Sequence, residues 1–184
     1  MNKPIKLHIG CGWRNFGKEW IHIDGGNYDH LDYKSITDLA QFKNNSVDLI
    51  YASHVFEYFD RKEAADLLKE WHRILKLGGI LRLAVPDFNT MIKLYFFNQI
   101  TLNNILGPLY GKMKMDDKII YHKTVYDFTS IEKILFDNGF NDIKRYEWRE
   151  TEHNQFDDHS QAYIPHMDKE NGTLISLNVE ATKI

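Results

Sequence analysis

The residue types and spacing best suited to chemistry lie between Lys6 and Asp24. Lys6-Leu7-His8-Ile9 is an apolar strand pattern running into Gly10-Cys11-Gly12, and Ile21-His22-Ile23 is a second strand that ends on the carboxylate of Asp24. Glycine permits positive φ and close approach of a ligand to the backbone, and an acid at the next strand end accepts hydrogen bonds from ribose hydroxyls. The pairing predicts a nucleoside-containing cofactor. Spacing narrows which one. A dinucleotide site calls for Gly-x-Gly-x-x-Gly opening a full helix, with the acid about 20 residues on. Here Asn15 stands where the third glycine would be, and Asp24 follows Gly12 by 12 residues. Trp13 to Trp20 has room for a turn or two of helix at most, so a pyrophosphate cradle is disfavoured.

The next block sharpens the choice. Val47-Asp48-Leu49-Ile50-Tyr51-Ala52-Ser53-His54 leads to a helical run ending Trp71-His72-Arg73-Ile74-Leu75, then to Gly78-Gly79 and the strand pattern Ile80 to Val85 before Pro86-Asp87. With the glycine turn, this series closely resembles the class I S-adenosylmethionine-dependent methyltransferases over about residues 5 to 145. The resemblance implies S-adenosylmethionine as cofactor and a Rossmann-like three-layer α/β sandwich, with a mostly parallel seven-stranded sheet, an antiparallel last strand and a first helix shortened almost to nothing. It also implies a site. Gly10 and Gly12, with His8 and Cys11 in the same stretch, pass the methionine part of the cofactor; Asp24 holds the ribose; Asp38, after the third strand, meets the adenine amino group; Ser53 and His54 end the fourth strand beside the sulfonium. Without the resemblance His8 and Cys11 read as space-fillers, Asp24 as a cap for the Gly25-Gly26 turn and Asp38 as a solvated loop residue.

Transfer of a methyl group from a sulfonium asks mainly for alignment, and a hydroxyl acceptor also benefits from a base. Nine histidines are present. His122, His153 and His159 are the candidates for general base, because an unperturbed imidazole titrates near neutrality. In the resembled fold the connection between the last two strands borders the acceptor, so Glu152 to Asp168 is expected to shape that side; the duller reading is a solvated loop with turn-forming acids. Asp157 and Asp158 with a histidine make no recognised metal signature, and no metal is expected. The ending, Ala162 to Ala181, looks like that of small predicted bacterial and phage methyltransferases often associated with surface saccharides, which suggests a sugar or nucleotide-sugar hydroxyl. Two alternatives remain: a cofactor-binding module without catalysis, and a nucleotide-binding oxidoreductase.

Strands and helices alternate, as in a parallel sheet covered on both faces. Strands are expected at Ile5 to Ile9, Trp20 to Ile23, near Ser35 to Asp38, Val47 to Ala52, Ile80 to Val85, Ile143 to Trp148 and Leu174 to Thr182. The helix from Arg61 to Leu75 places Ala64, Leu67, Leu68, Trp71 and Leu75 on one stripe, capped by Asp60 with Glu63 and ended by Gly78. Phe88 to Ile100 reads as helix, and Gly107-Pro108, Gly111 and Met113 to Met115 as loop. A later helix, capped by Thr129 or Ser130, runs to Asn138-Gly139. One domain over 1–184 is expected, with an insertion at about 88–120 that can serve as a lid or simply pack on the core.

Composition is consistent with these expectations. The formal net charge of −3 points to no obligatory nucleic-acid partner, and the 14% aromatic content favours a packed globule. Cys11 is the only cysteine, which excludes an intramolecular disulfide. No signal-like segment or membrane-length apolar run is evident, so a cytoplasmic location without membrane insertion is expected, with a small-molecule acceptor as partner and the oligomeric state open.

Overall fold

The computed structural model describes residues 3–115 and 117–184. Apolar runs form the centre of a six-stranded sheet. Its strands are β1 (Lys6–Ile9), β2 (Ile21–Ile23), β3 (Val47–Ser53), β4 (Leu75–Pro86), β7 (Phe140–Arg145) and β10 (Ser176–Lys183), in the order β2-β1-β3-β4-β10-β7. The first four are mutually parallel, and β10 runs antiparallel to both neighbours. Helices α1 (Arg61–Ile74) and α4 (Phe128–Asp137) bury Leu68, Trp71, Ile131 and Leu135 in one core with Leu7, Ile50, Leu83 and Val179.

The opposite face is covered differently. There the irregular segment 13–20 and the chain after β7 lay Phe16, Trp20 and Phe156 against Leu49, Tyr51, Ile80 and Tyr146. The third layer of the sandwich is thus an aromatic sheath over this part of the sheet, consistent with a segment too short for the first helix.

Four local expectations are corrected. The strand expected near 35–38 is absent; Tyr33 makes a single parallel bridge to Ile23. The β2 edge is instead occupied by Asp32, whose carboxylate accepts the His22 N–H at 2.8 Å while its own N–H donates to the His22 carbonyl at 2.9 Å. Gly78 does not end α1: the helix stops at Ile74, and Leu75 already pairs with Val47 before an irregularity containing Gly78 at φ +76°. Lys183 Nζ stabilises that helix end by donating to the carbonyls of His72 at 2.6 Å and Leu75 at 2.8 Å. The cap of α4 is Asp127, with Ser130 as its partner three residues on. Finally, β7 begins directly after Gly139, leaving Trp148 to a 3₁₀ turn at Trp148–Glu150.

The insertion between β4 and α4 contains α2 (Phe88–Phe96), α3 (Leu102–Tyr110) and the hairpin of β5 (Met113–Met115) and β6 (Lys118–Ile120). Pro108, expected in a loop, sits inside α3, and Gly111 closes that helix in the left-handed region. A last small pair, β8 (Tyr163–Ile164) and β9 (Thr173–Leu174), precedes β10. Among the described residues no helix is long and apolar enough to cross a membrane.

Candidate active site

One rung of the sheet aligns the site. Ile9 pairs with Ile23 on one side and Ala52 on the other, and Ala52 pairs with Leu83. One residue further along each strand lie Gly10, Asp24 and Ser53. They stand at the carboxyl ends of parallel strands where the chain order reverses around β1, the place where open α/β sheets bind ligands. Gly10 has φ +68°, and a Cβ built there would lie 2.0 Å from Val55 Cγ2, so the turn closes onto the end of β3 only because residue 10 is glycine. Gly12, at φ +56°, has open space where its Cβ would be. Asp24 accepts the Gly12 N–H at 2.8 Å and the Gly26 N–H at 2.7 Å, one on each carboxylate oxygen. Each oxygen retains acceptor capacity for a ribose hydroxyl. Ser53 Oγ is buried without a hydrogen-bond partner among the described residues. An orphaned hydroxyl, a bare backbone and a strand-end carboxylate fit a nucleoside ligand.

Beyond Ser53 the backbone takes a strained step. His54 has φ +53°, uncommon for a residue with a side chain. Its ring lies between two neighbours, with Nδ1 3.4 Å from Glu57 Oε1 and Nε2 3.3 Å from Ser176 Oγ. The His159 ring stands 5.2 Å from that of His54. Burial lowers the affinity of both rings for a proton, and at His159 the Arg14 guanidinium adds to the effect. Arg14 ties the glycine-turn segment to this loop by donating from Nε to the Asp157 carbonyl at 2.8 Å.

His122 reaches the same place from the insertion. Its Nδ1 faces the Pro108 carbonyl at 2.9 Å, which requires the proton on Nδ1 in the neutral ring and leaves Nε2 as an acceptor. That Nε2 lies 3.6 Å from Glu57 Oε1. Glu57 is fully buried, and desolvation pushes its carboxyl from 4.5 up to about 8. Burial also holds His122 below its ordinary value. Both shifts favour a neutral pair in which the carboxylic acid faces the imidazole lone pair. Tyr58 completes the junction, its hydroxyl donating to the Gly111 carbonyl at 2.7 Å and its ring 4.5 Å from that of His122.

The sequence candidates therefore separate into groups. Gly10, Gly12, Asp24, Ser53 and His54 share one end of the sheet, with His122 and His159 joining them through Glu57 and His54. His8 and His153 do not join them. The His8 ring stacks at 4.0 Å on Phe16, and the His153 ring lies 4.1 Å from that of Tyr51, both enclosed in the aromatic sheath. Burial pushes His153 down to about 4, so it holds no proton near neutrality, and its enclosed ring meets no acceptor. Strand alternation explains His8, whose side chain points to the sheet face opposite Leu7 and Ile9. Cys11 is buried with its thiol pushed up to about 12, which leaves its contribution to packing and backbone. Asp38 is exposed and accepts the Ala40 N–H at 3.2 Å, a turn-forming contact. Sequence reasoning missed Glu57 and Arg14. The signal for Glu57 was a lone acid between Phe56 and Tyr58-Phe59 directly after the strand.

Comparison with known proteins shows where this fold recurs. Residues 18–83 match the family described as "Methyltransferase domain", a segment that contains Asp24, Ser53, His54 and Glu57. The chain has the fold of the class I methyltransferases, and part of it matches a methyltransferase domain. The glycine turn, the strand-end carboxylate and the orphaned hydroxyl fit the nucleoside part of S-adenosylmethionine. Among solved structures, a SAM-dependent methyltransferase from Methanosarcina mazei aligns at TM-score 0.58 and 18% identity, covering 100% of this chain and 94% of that one. One from Archaeoglobus fulgidus aligns at TM-score 0.59 and 19% identity, covering 98% and 86%. The 1,6-didemethyltoxoflavin-N1-methyltransferase of Burkholderia thailandensis, determined with S-adenosylhomocysteine, aligns at TM-score 0.55 and 11% identity, covering 98% and 72%. At these identities the likeness is one of fold. No curated protein matches the chain. The residues whose geometry fits such a cofactor are Gly10 to Gly12, Asp24 and Ser53.

Proposed function

We propose that this methyltransferase domain methylates oxygen on a small polar acceptor of the sugar or nucleotide-sugar type, in the cytoplasm. One observation carries the reading: two imidazoles, His54 and His159, lie side by side at the end of β3, with Arg14 tying the glycine-turn segment to the loop that carries His159. Such a lining suits a hydroxyl-bearing or anionic molecule better than an apolar one. The free, buried thiol of Cys11 accords with a reducing compartment.

When bound, the cofactor supplies an electrophilic methyl group on a sulfonium. The chain's own residues orient the acceptor and accept its proton. His159 is the base in this reading, since one side of its ring is open to solvent while the packed side lowers its proton affinity and keeps it neutral near neutrality. The acceptor O–H proton passes to the imidazole as the new O–CH₃ bond forms. His54 and the Glu57–His122 pair hold the loop and the insertion around that point. Asp38 remains the candidate partner of the adenine amino group.

Incubation with methyl-labelled cofactor and a panel of sugars and nucleotide sugars, followed by product mass, tests the reading. A gain of one methyl group on a hydroxyl supports it. Cofactor binding without transfer to any member of the panel favours the module without catalysis, and methylation confined to nitrogen overturns the choice of oxygen.

A further inference from the structure

The two helices of the insertion are apolar on both sides. Met91 and Leu94 of α2 and Ile105 of α3 pack inward with Ile175. Their other sides present Tyr95 and Phe96, followed by Phe97, and a ridge of Leu102, Leu106 and Tyr110 at four-residue spacing. Phe96 is 74% exposed and Phe97 66%. A helix apolar all round is normally buried, so this second face lacks its cover.

Charge indicates what covers it. Residues 88–123 contain five lysines against two aspartates and no glutamate or arginine, a formal charge of +3, which leaves −6 on the rest of a chain whose total is −3. Lys93, Lys112, Lys114 and Lys118 are all exposed in the same insertion. Exposed aromatic rings and exposed lysines in one insertion match the boundary of an anionic bilayer, where rings enter the headgroup layer and lysine stems lie along apolar surface with their ammonium groups in water. A symmetric pairing of two copies through this face would bring two basic patches together.

We propose that α2, α3 and the β5–β6 hairpin dock this domain onto the surface of an anionic lipid bilayer. The acidic remainder of the chain is repelled by the same surface, which fixes the orientation. The docking face is continuous with the candidate active site, since the Tyr110 carbonyl at the end of α3 accepts the His122 N–H at 2.9 Å. The inference goes beyond the proposed reaction and does not depend on it.

Co-sedimentation of the full chain with vesicles of phosphatidylcholine, or of equimolar phosphatidylcholine and phosphatidylglycerol, tests it. With Lys123 paired to Glu63 at 2.8 Å, the two remaining net charges give on the order of 30-fold tighter binding to the anionic vesicles. Salt at about 0.5 M should remove most of that difference. F96S/F97S, at exposed positions, should release the protein from anionic vesicles by at least about tenfold while its thermal midpoint stays in place. Binding that ignores lipid charge, or that survives F96S/F97S in a folded variant, overturns the proposal. So does a wild-type dimer, dissociated by F96S/F97S, that does not bind vesicles, because the cover is then a second copy.

Discussion

Glu57→Gln probes the proton balance at the junction of β3 and the insertion. Burial raises the Glu57 carboxyl from 4.5 to about 8, so over that interval the native state retains a proton that the unfolded chain has released. The stabilisation from this group is fully present below about pH 4.5 and is lost as pH rises through about 8. A shift of this size corresponds to a ceiling of about 5 kcal/mol. The realised amount is smaller to the extent that His122 or His54 takes up the proton as the carboxyl ionises. Glutamine keeps the shape and carries no charge at any pH, so the variant should lack this slope. The buried rings of His8 and His153, away from Glu57 and lowered in the native state, act oppositely: stability rises with pH until the unfolded histidines lose their protons near 6.5. That contribution is common to both proteins and cancels in the difference. Urea unfolding at about pH 5 should give similar stabilities, and above about pH 8 the variant should be the more stable by ~2–4 kcal/mol. Parallel stability–pH curves for the two proteins would show that Glu57 is ionised in the native state, and the neutral Glu57–His122 pair would have to be abandoned.

Asp24→Ala should weaken S-adenosylhomocysteine binding by about 1–3 kcal/mol in calorimetry, the scale of hydrogen bonds to a charged acceptor; unchanged affinity in a folded variant removes Asp24 from the site. Gly10→Ala combines left-handed strain with a collision against Val55, and should lower stability by about 3 kcal/mol, against about 1 kcal/mol for Gly12→Ala, which meets open space. Equal losses in thermal denaturation would contradict the close approach at Gly10. Lys183→Met removes the ammonium that donates to the His72 and Leu75 carbonyls and to Asn45 Oδ1, and should cost about 3 kcal/mol by chemical denaturation; a loss below about 0.5 kcal/mol would mean that water replaces it. His159→Ala should reduce kcat by roughly 10²–10⁴-fold with cofactor affinity preserved, and the wild-type rate should fall on the acid side with a midpoint below the ordinary imidazole value of 6.5. A rate unaffected by the substitution would assign the base elsewhere.

The sequence by itself determined the cofactor end of the sheet. Two glycines after an apolar strand, an acid at the end of the next and a serine at the end of the one after lie within a step of their strands, and parallel pairing brings consecutive strand ends to one rim whatever the loops do. Local chemistry also determined α1, because the Asp60–Glu63 capping box and the apolar stripe act within a few turns. Strand count, by contrast, turned on competition for the β2 edge, which Asp32 won with one carboxylate and one amide. The roles of the histidines belonged to tertiary structure alone. His8 and His153 are enclosed in the aromatic sheath while His54 and His159 meet beyond the end of β3, and in sequence all four are imidazoles. Glu57 and His122 lie 65 positions apart, and only the folding of α3 and the hairpin back onto the end of β3 brings them together. Burial at that junction, a property of the assembled layers, then changes the carboxyl from an ordinary surface acid into one that keeps its proton at neutral pH.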